Sequence, residues 1–284
     1  MLPLETYKGI ESAWCPGCGN FPMLYAFKEA LAELEIRPQD LLLVSGIGQA
    51  SKFPHYLKCN IFNGIHGRTL PVATGARLAN PHLKVVVTTG DGDCYGEGGN
   101  HLLATFRRNP DMTLVVHNNQ VYGLTKGQAS PTSDQGFQTI IQPQGVPYPP
   151  LHALALAVAQ DCSWVARGFA GLRTHLKELY KQALTHRGFA LLEVLQPCVT
   201  FNKVNTYQWY QQRVYKVEDT PDYDPENELW ACQKAKEWGE RIPIGVIYRK
   251  PRPVFEESYE VLAAGPLARQ ERECPIDQLL EDFY

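Results

Sequence analysis

Apolar residues at 21, 24, 27, 31 and 34 form a stripe of helical period, so residues 20–35 are expected to make a helix, with Pro22 tolerated in its first turn. Leu41-Leu42-Leu43-Val44 is a short unbroken apolar run, which marks a buried strand, and it stops at a glycine-bearing block, Ser45-Gly46-Ile47-Gly48. The alternation then continues with a helix at 70–79, a strand at 85–89, a helix at 98–109 and a strand at 112–116. A helix at 151–159, a strand at 164–167, a helix marked by Leu172, Leu176, Leu179 and Ala183, and a strand at 189–195 follow. Strands separated by helices imply an α/β fold, a mainly parallel sheet with helices on both faces. No internal repeat is visible.

After about Gln196 the alternation is lost. A first domain of residues 1–200 is therefore expected, followed by an irregular C-terminal arm, 201–284, with one helix near 226–238. The arm carries Trp209, Tyr210, Tyr215, Trp230 and Trp238. Two roles suit such a segment: it wraps the sheet edge of its own domain, or it docks on a partner, since aromatics are enriched at interfaces.

Composition narrows the classes. The chain has 284 residues, 44% apolar and 20% charged, with a formal net charge of -3, so it is an ordinary globular protein. A pI near 6.2 and scattered basic residues argue against a nucleic-acid binder or a polybasic membrane anchor. No apolar stretch approaches the roughly 20 residues of a membrane span, and the start lacks a basic segment leading into an apolar one. Eight cysteines in a chain of this length do not suggest a secreted disulfide scaffold. The cytoplasm is the expected location, and thiols kept reduced there are available to metal.

The chemistry concentrates where the strands end. Residues 85–89 run into Gly90-Asp91-Gly92-Asp93, and residues 112–116 run into Asn118-Asn119-Gln120-Val121-Tyr122-Gly123. The carboxyl ends of parallel strands are where open α/β sheets bind ligands. Asp91, the Asn119 amide oxygen and the Val121 carbonyl offer hard oxygen ligands to a Mg²⁺-like ion that holds a diphosphate. Gly90 and Gly92 let the backbone come close to phosphate, and successive N–H groups there form an anion nest. A second constellation is Cys15-Pro16-Gly17-Cys18, a tight turn that aims two sulfurs one way; zinc, a redox dithiol or an iron–sulfur cluster would each suit it.

These blocks together resemble the β subunit of the 2-oxoacid:ferredoxin oxidoreductases, and the Gly90-to-Asn119 spacing resembles the thiamine-diphosphate motif. The match runs in order through Trp14-Cys-Pro-Gly-Cys-Gly19, Ser45-Gly-Ile-Gly48, His66-Gly-Arg68, Gly90-Asp-Gly-Asp93, Val121-Tyr-Gly-Leu-Thr-Lys-Gly-Gln-Ala-Ser-Pro131, Leu195-Gln-Pro-Cys198 and Arg241-Ile-Pro-Ile-Gly245. The resemblance implies thiamine diphosphate and Mg²⁺, with Asp91, Asn119 and Val121 as metal-ligand positions. Ser45, Gly46, Ile47, Gly48, His66, Gly90, Gly92, Asp93, Gly123, Leu124 and Thr125 would surround the cofactor. It also implies a [4Fe-4S] cluster on Cys15, Cys18, Cys198 and a cysteine in the Ser-Gly-Ile-Gly loop, where this chain has Gln49 instead. Cys59 is the candidate to replace that ligand; an unbroken helix would carry it about 15 Å from Gln49, so it qualifies only if the chain after Tyr56 turns back. Cys94, beside Asp91, is expected to be held at the thiamine site.

The activity so implied is oxidative decarboxylation of a 2-oxoacid, with coenzyme A taking the acyl group and ferredoxin the electrons. It needs an α subunit that supplies the activating glutamate, in a dimer of αβ heterodimers. Lys52, or alternatively Lys126, offers a cation for the distal carboxylate of 2-oxoglutarate, which pyruvate lacks. With His66, Lys52 is the candidate that touches substrate; pyruvate or a broad 2-oxoacid range is the alternative. Two rivals stand beside this: a non-redox thiamine-dependent decarboxylase or carboligase, and a non-catalytic scaffold subunit.

Overall fold

The computed structural model describes residues 1–270, 276–281 and 283. Helix α1 (Asn20–Glu33) leads to strand β1 (Leu41–Ser45), a short helical segment (Ala50–Tyr56) and β2 (Asn60–Asn63). Then come α2 (Thr69–Ala79), β3 (Lys84–Gly90), α3 (Gly99–Arg108) and β4 (Met112–Asn118), followed by a two-residue-strand hairpin, β5 (Val121–Tyr122) and β6 (Gln128–Ala129). Helix α4 (Ala153–Ala159), β7 (Trp164–Phe169), α5 (Arg173–Thr185) and β8 (Phe189–Leu195) complete the alternating part.

Eight strands form one sheet in the order β2-β1-β3-β4-β8-β7-β10-β9, the last two being β9 (Val214–Lys216) and β10 (Ile242–Arg249). The pairings from β2 through β7 are all parallel, and β10 runs antiparallel to β7. The predicted α/β fold is therefore present, with helices on both faces. Successive strand residues face opposite sides. Leu41, Leu43, Val86, Val115 and Leu192 pack with α1 and α5, whereas Val85, Val87, Leu114, Val116 and Leu191 pack on the opposite side with α2, α3 and α4. Strands β4 and β8 are buried along their whole length, which puts their carboxyl ends in the middle of the molecule.

One expectation needs correction. Residues past 200 do not lack regular structure: after α6 (Tyr207–Gln211), β9 and β10 extend the sheet, and α7 (Glu228–Lys236) packs against α4 and β10. Pro243 and the tyrosine- and tryptophan-rich surroundings disguised a buried strand. The proline is tolerated because pairing to β7 begins only at Gly245. The rest of the arm, 271–275, 282 and 284, lies outside the described residues. Gly90 ends β3, and the chain turns helical at once. Gly92–Glu97 is a π-helical turn that runs into α3, and such turns occur often at functional sites.

One buried ion pair locks the site end of the sheet. Arg167 on β7 and Glu193 on β8 are register partners, 3.0 Å apart, with side chains 5% and 4% exposed. Glu193 also accepts from the Tyr95 hydroxyl and the Asn118 amide, while Arg167 donates to the Ala235 carbonyl. Removing one partner leaves the other charge buried. Arg167→Met should therefore destabilise the protein by about 3–5 kcal/mol in urea denaturation. Replacing Glu193 by Leu in the same molecule should recover much of that loss.

Candidate active site

The carboxyl ends of β1, β3 and β4 and the turn before α2 enclose one cavity. Ile47, Gly48, His66, Gly90, Asp91, Gly92, Asp93, Asn119, Val121, Gly123, Leu124 and Thr125 all line it, joined by Gln49, Ala50 and Tyr122. Ser45 and Gly46 lie behind this lining: the Ser45 hydroxyl accepts from the Asn63 amide, and Gly46 backs onto Asp93.

Asp93 holds the cavity together. Its buried carboxylate accepts from the Thr89 hydroxyl (2.5 Å), the Gly67 N–H (2.8 Å), the Ile47 N–H (3.2 Å) and His66 Nδ1. A Cβ on Gly46 would fall 2.1 Å from that carboxylate, so only glycine fits there. Gly92 is constrained similarly, because a Cβ would meet the Tyr122 ring at 2.3 Å. Close packing against Tyr122 explains this glycine. Gly48 differs: its φ is +124° and a Cβ would meet nothing within 4 Å. His66 places Nε2 3.5 Å from Glu97, which also receives the Tyr122 hydroxyl.

Asp91 is 1% exposed, and its Oδ2 accepts from the Ser130 and Thr132 hydroxyls at 2.5 and 2.6 Å. Burial pushes its carboxyl up to about 6, the two hydroxyls only partly opposing the shift. A buried carboxylate made costly to ionise, at a cavity wall, is a natural cation ligand. Asn119 Oδ1 accepts from the Val121 N–H, and its Nδ2 donates to Gln196. Asn118 and the Gln120 backbone, the latter in the left-handed region at φ 59°, tie this turn to Thr132 and Ser133. Sequence reading missed Ser130 and Thr132, whose signal was two hydroxyls spaced by a proline. It also missed His117, which burial lowers to about 3 and which bridges Asn20 and Thr88 as a structural group.

A second cavity adjoins the first. Cys15, Cys18 and Cys198 line it, with Trp14, Gln196 and Phe201, and it shares Gln49, Asn119 and Gly123 with the acidic cavity. The Cys18 N–H donates to the Cys15 carbonyl, and Gly17 has φ +82°, the tight turn the motif predicted. Burial raises the Cys18 thiol to about 11, and the proximity of Cys198 and Cys15 adds to the rise. Gln196 donates to its sulfur. Among the described residues no three His, Cys, Asp or Glu converge closely enough to bind one ion.

Cys59 does not reach this cavity. The chain after Tyr56 does turn back, but to the wrong end of the strand: Cys59 immediately precedes Asn60, which pairs with Leu42. Gln49 follows Ser45 at the other end, so the strand alone separates them by roughly 10 Å. The Cys59 thiol is also raised to about 12 by burial. Cys94 packs into the core with Leu70 and Leu102 and lines neither cavity, so its expected place at the thiamine site is also corrected. Lys52 and Lys126 are not in the cavity lining either. Lys52 sits in the short helical segment just past Ala50, without an ion-pair partner among the described residues.

The family model for the thiamine pyrophosphate enzyme C-terminal TPP-binding domain matches residues 46–194, and that for the C-terminal part of the pyruvate ferredoxin oxidoreductase beta subunit matches 198–264. A 2-oxoacid:ferredoxin oxidoreductase β subunit from Aeropyrum pernix is 46% identical over 264 residues, covering 88% of this chain and 81% of that protein. The chain belongs to the 2-oxoacid:ferredoxin oxidoreductase β-subunit family. A 2-oxoglutarate oxidoreductase subunit KorB from Mycobacterium tuberculosis is 44% identical over 192 residues, covering 68% of this chain and 52% of that protein. Among solved structures, the 2-oxoglutarate:ferredoxin oxidoreductase of Magnetococcus marinus, with 2-oxoglutarate, coenzyme A and succinyl-CoA bound, has a TM-score of 0.90 and 33% identity. That match covers 100% of this chain and 96% of the other.

A 2-oxoacid:ferredoxin oxidoreductase β subunit acts in an enzyme with an α partner, and the thiamine-binding model spans both the Gly90–Asp93 block and the 118–123 block. The residues present fit thiamine diphosphate and its metal: Asp91 supplies charge, and Gly48 and Gly90 leave room that a side chain would fill. No helix among the described residues is long and apolar enough to cross a membrane.

Folding raises the Asp91 carboxyl from 3.8 to about 6, so the native state binds the extra proton between those values. Stability is then lost as pH rises through that window, by up to about 3 kcal/mol, since each tenfold gain in proton affinity is worth about 1.4 kcal/mol. Asp91→Asn should remove this slope. Urea denaturation of the cofactor-free protein should find the variant more stable than wild type at about pH 8 and near equal at about pH 4. Added thiamine diphosphate with Mg²⁺ should raise the denaturation midpoint of wild type and leave that of the variant unchanged.

Proposed function

We propose that this chain is the catalytic β subunit of an enzyme that converts 2-oxoglutarate and coenzyme A to succinyl-CoA and CO₂, passing electrons through a [4Fe-4S] cluster to ferredoxin, or that runs this reaction in reverse. The carrying observation is that the acidic cavity and the cysteine cavity share a wall at Gln49, Asn119 and Gly123. A two-electron oxidation needs an acceptor beside the reacting carbon, and the shared wall provides that adjacency.

In the acidic cavity, Asp91 with Asn119 and the Val121 carbonyl would hold Mg²⁺, and the backbone around Gly90 and Gly92 would receive the diphosphate. Bound thiamine diphosphate supplies an electron sink for decarboxylation. His66 receives its orientation from Asp93, which engages Nδ1 and leaves Nε2 to exchange a proton at the cavity or with Glu97. Cys15, Cys18 and Cys198 would hold the cluster, which supplies a one-electron acceptor. Thiols spread around a cavity suit a group with several irons better than a single zinc, whose ligands converge within about 2.3 Å of one point. The α subunit would contribute the activating glutamate, in a dimer of αβ heterodimers.

The choice of 2-oxoglutarate draws on the relatives described by that substrate and on Lys52, a cation just past the cavity-lining Ala50 with no partner among the described residues. Lys52→Ala in the αβ complex should raise KM for 2-oxoglutarate tenfold or more, in the order of one charge-assisted hydrogen bond, and leave pyruvate nearly unchanged. Equal changes for both substrates would count against the assignment. Iron and acid-labile sulfide in the anaerobically purified complex should be well above background; background values would favour the non-redox decarboxylase or carboligase.

A further inference from the structure

The cysteine cavity has the wrong number of thiols. A four-iron cluster ordinarily takes one thiolate on each iron. Cys15, Cys18 and Cys198 line this cavity, and the other described cysteines lie elsewhere. Cys59 is at the amino end of β1, Cys94 and Cys162 are buried in the core beneath α2, α3 and α4, and Cys232 is on α7. The side of the cavity facing the acidic site is closed by Gln49, whose position is set by the Trp14 indole N–H donating to its carbonyl at 2.9 Å.

Given the oxidoreductase chemistry proposed above, we infer that the cluster is bound by Cys15, Cys18 and Cys198 only, and that its fourth iron lies at Gln49, carrying a neutral oxygen ligand from the amide or a water and facing the thiamine cavity. Gln49 belongs to both cavities, so the iron without a thiolate is the one nearest the carbon being oxidised. Two consequences follow from charge. Exchanging a thiolate for a neutral ligand makes the site one unit less negative, and a less negative cluster is easier to reduce. The iron without a thiolate is also the one most readily lost. Oxidation of [4Fe-4S]²⁺ by one ferricyanide, which becomes ferrocyanide, releases one Fe²⁺ and leaves [3Fe-4S]⁺, balancing charge and iron.

The test uses the αβ holoenzyme purified anaerobically, as wild type, Gln49→Cys, Gln49→Ala and Cys274→Ser. Wild type should carry four irons and, on titration with ferricyanide, give the [3Fe-4S]⁺ electron paramagnetic resonance signal with loss of about one iron in four. Added Fe²⁺ and dithionite should restore it. Gln49→Ala and Cys274→Ser should convert as wild type does, whereas Gln49→Cys should resist conversion and shift its midpoint potential to a more negative value. A four-iron wild type that resists ferricyanide would overturn the inference while leaving the cluster in place. Loss of the cluster in Cys274→Ser would overturn it too, by identifying a fourth thiolate. Iron at background in wild type would remove the cluster and the electron-transfer function together. The wild-type titration decides the question even if Gln49→Cys does not fold.

Discussion

A carboxylate taken out of water has to be surrounded by donors, and the way Asp93 meets that demand shapes the rest of the site. Its donors come from separate pieces of chain: Thr89 at the end of β3, Ile47 after β1, and Gly67 and His66 in the turn before α2. Losing any one would leave part of a buried charge unpaired, a penalty of about 1–3 kcal/mol per missing donor. The cavity walls are therefore drawn to one point, and Gly46 must be glycine because Asp93 already occupies its Cβ position. Asp91, two residues earlier, accepts from two side-chain hydroxyls on Oδ2, and burial raises its carboxyl to about 6. One carboxylate serves structure, and its neighbour is left short of positive charge.

The second layer keeps that contrast stable. Asn118, Thr132 and Glu193 connect the turn after β4 to the Arg167 ion pair, so the residues around Asp91 are anchored in the most buried strands of the sheet. A rigid shell of this kind fixes a binding group within a few tenths of an ångström, which flexible loops do not do. The cysteine cavity is built differently. Its walls come from the turn before α1, the segment after β8 and Gln49, and its thiols stay protonated where burial raises them. Any metal bound there would have to displace protons from these thiols.

Much of this was legible from the chain. The apolar runs at 41–44, 85–89, 112–116, 164–167 and 189–195 became strands in one sheet, because a run buried on both faces has few alternatives in a helix-separated pattern. The block Gly90 to Asp93 and Asn119 arrived at one cavity for the same reason: parallel strands deliver their carboxyl ends to one edge. Strand β10 was not legible, since Pro243 argues against a strand until its unpaired position beside β7 is known. Nor was the fate of Cys59, which depends on which end of β1 the returning chain meets.

Sequence alone determined the family, the fold class and the residue types gathered for a cation, a diphosphate and a set of thiols, because periodicity and spacing are local properties of the chain. Only the tertiary structure decided that Asp93 is held by donors from separate pieces of chain while Asp91 meets two side-chain hydroxyls on Oδ2 at the cavity wall. It also decided that Ser130 and Thr132 stand behind Asp91, that Lys52 lies outside the lining, and that Gln49 walls both cavities. Those outcomes depend on contacts between residues tens of positions apart, where burial and hydrogen-bond satisfaction choose among side chains that look equivalent in one dimension.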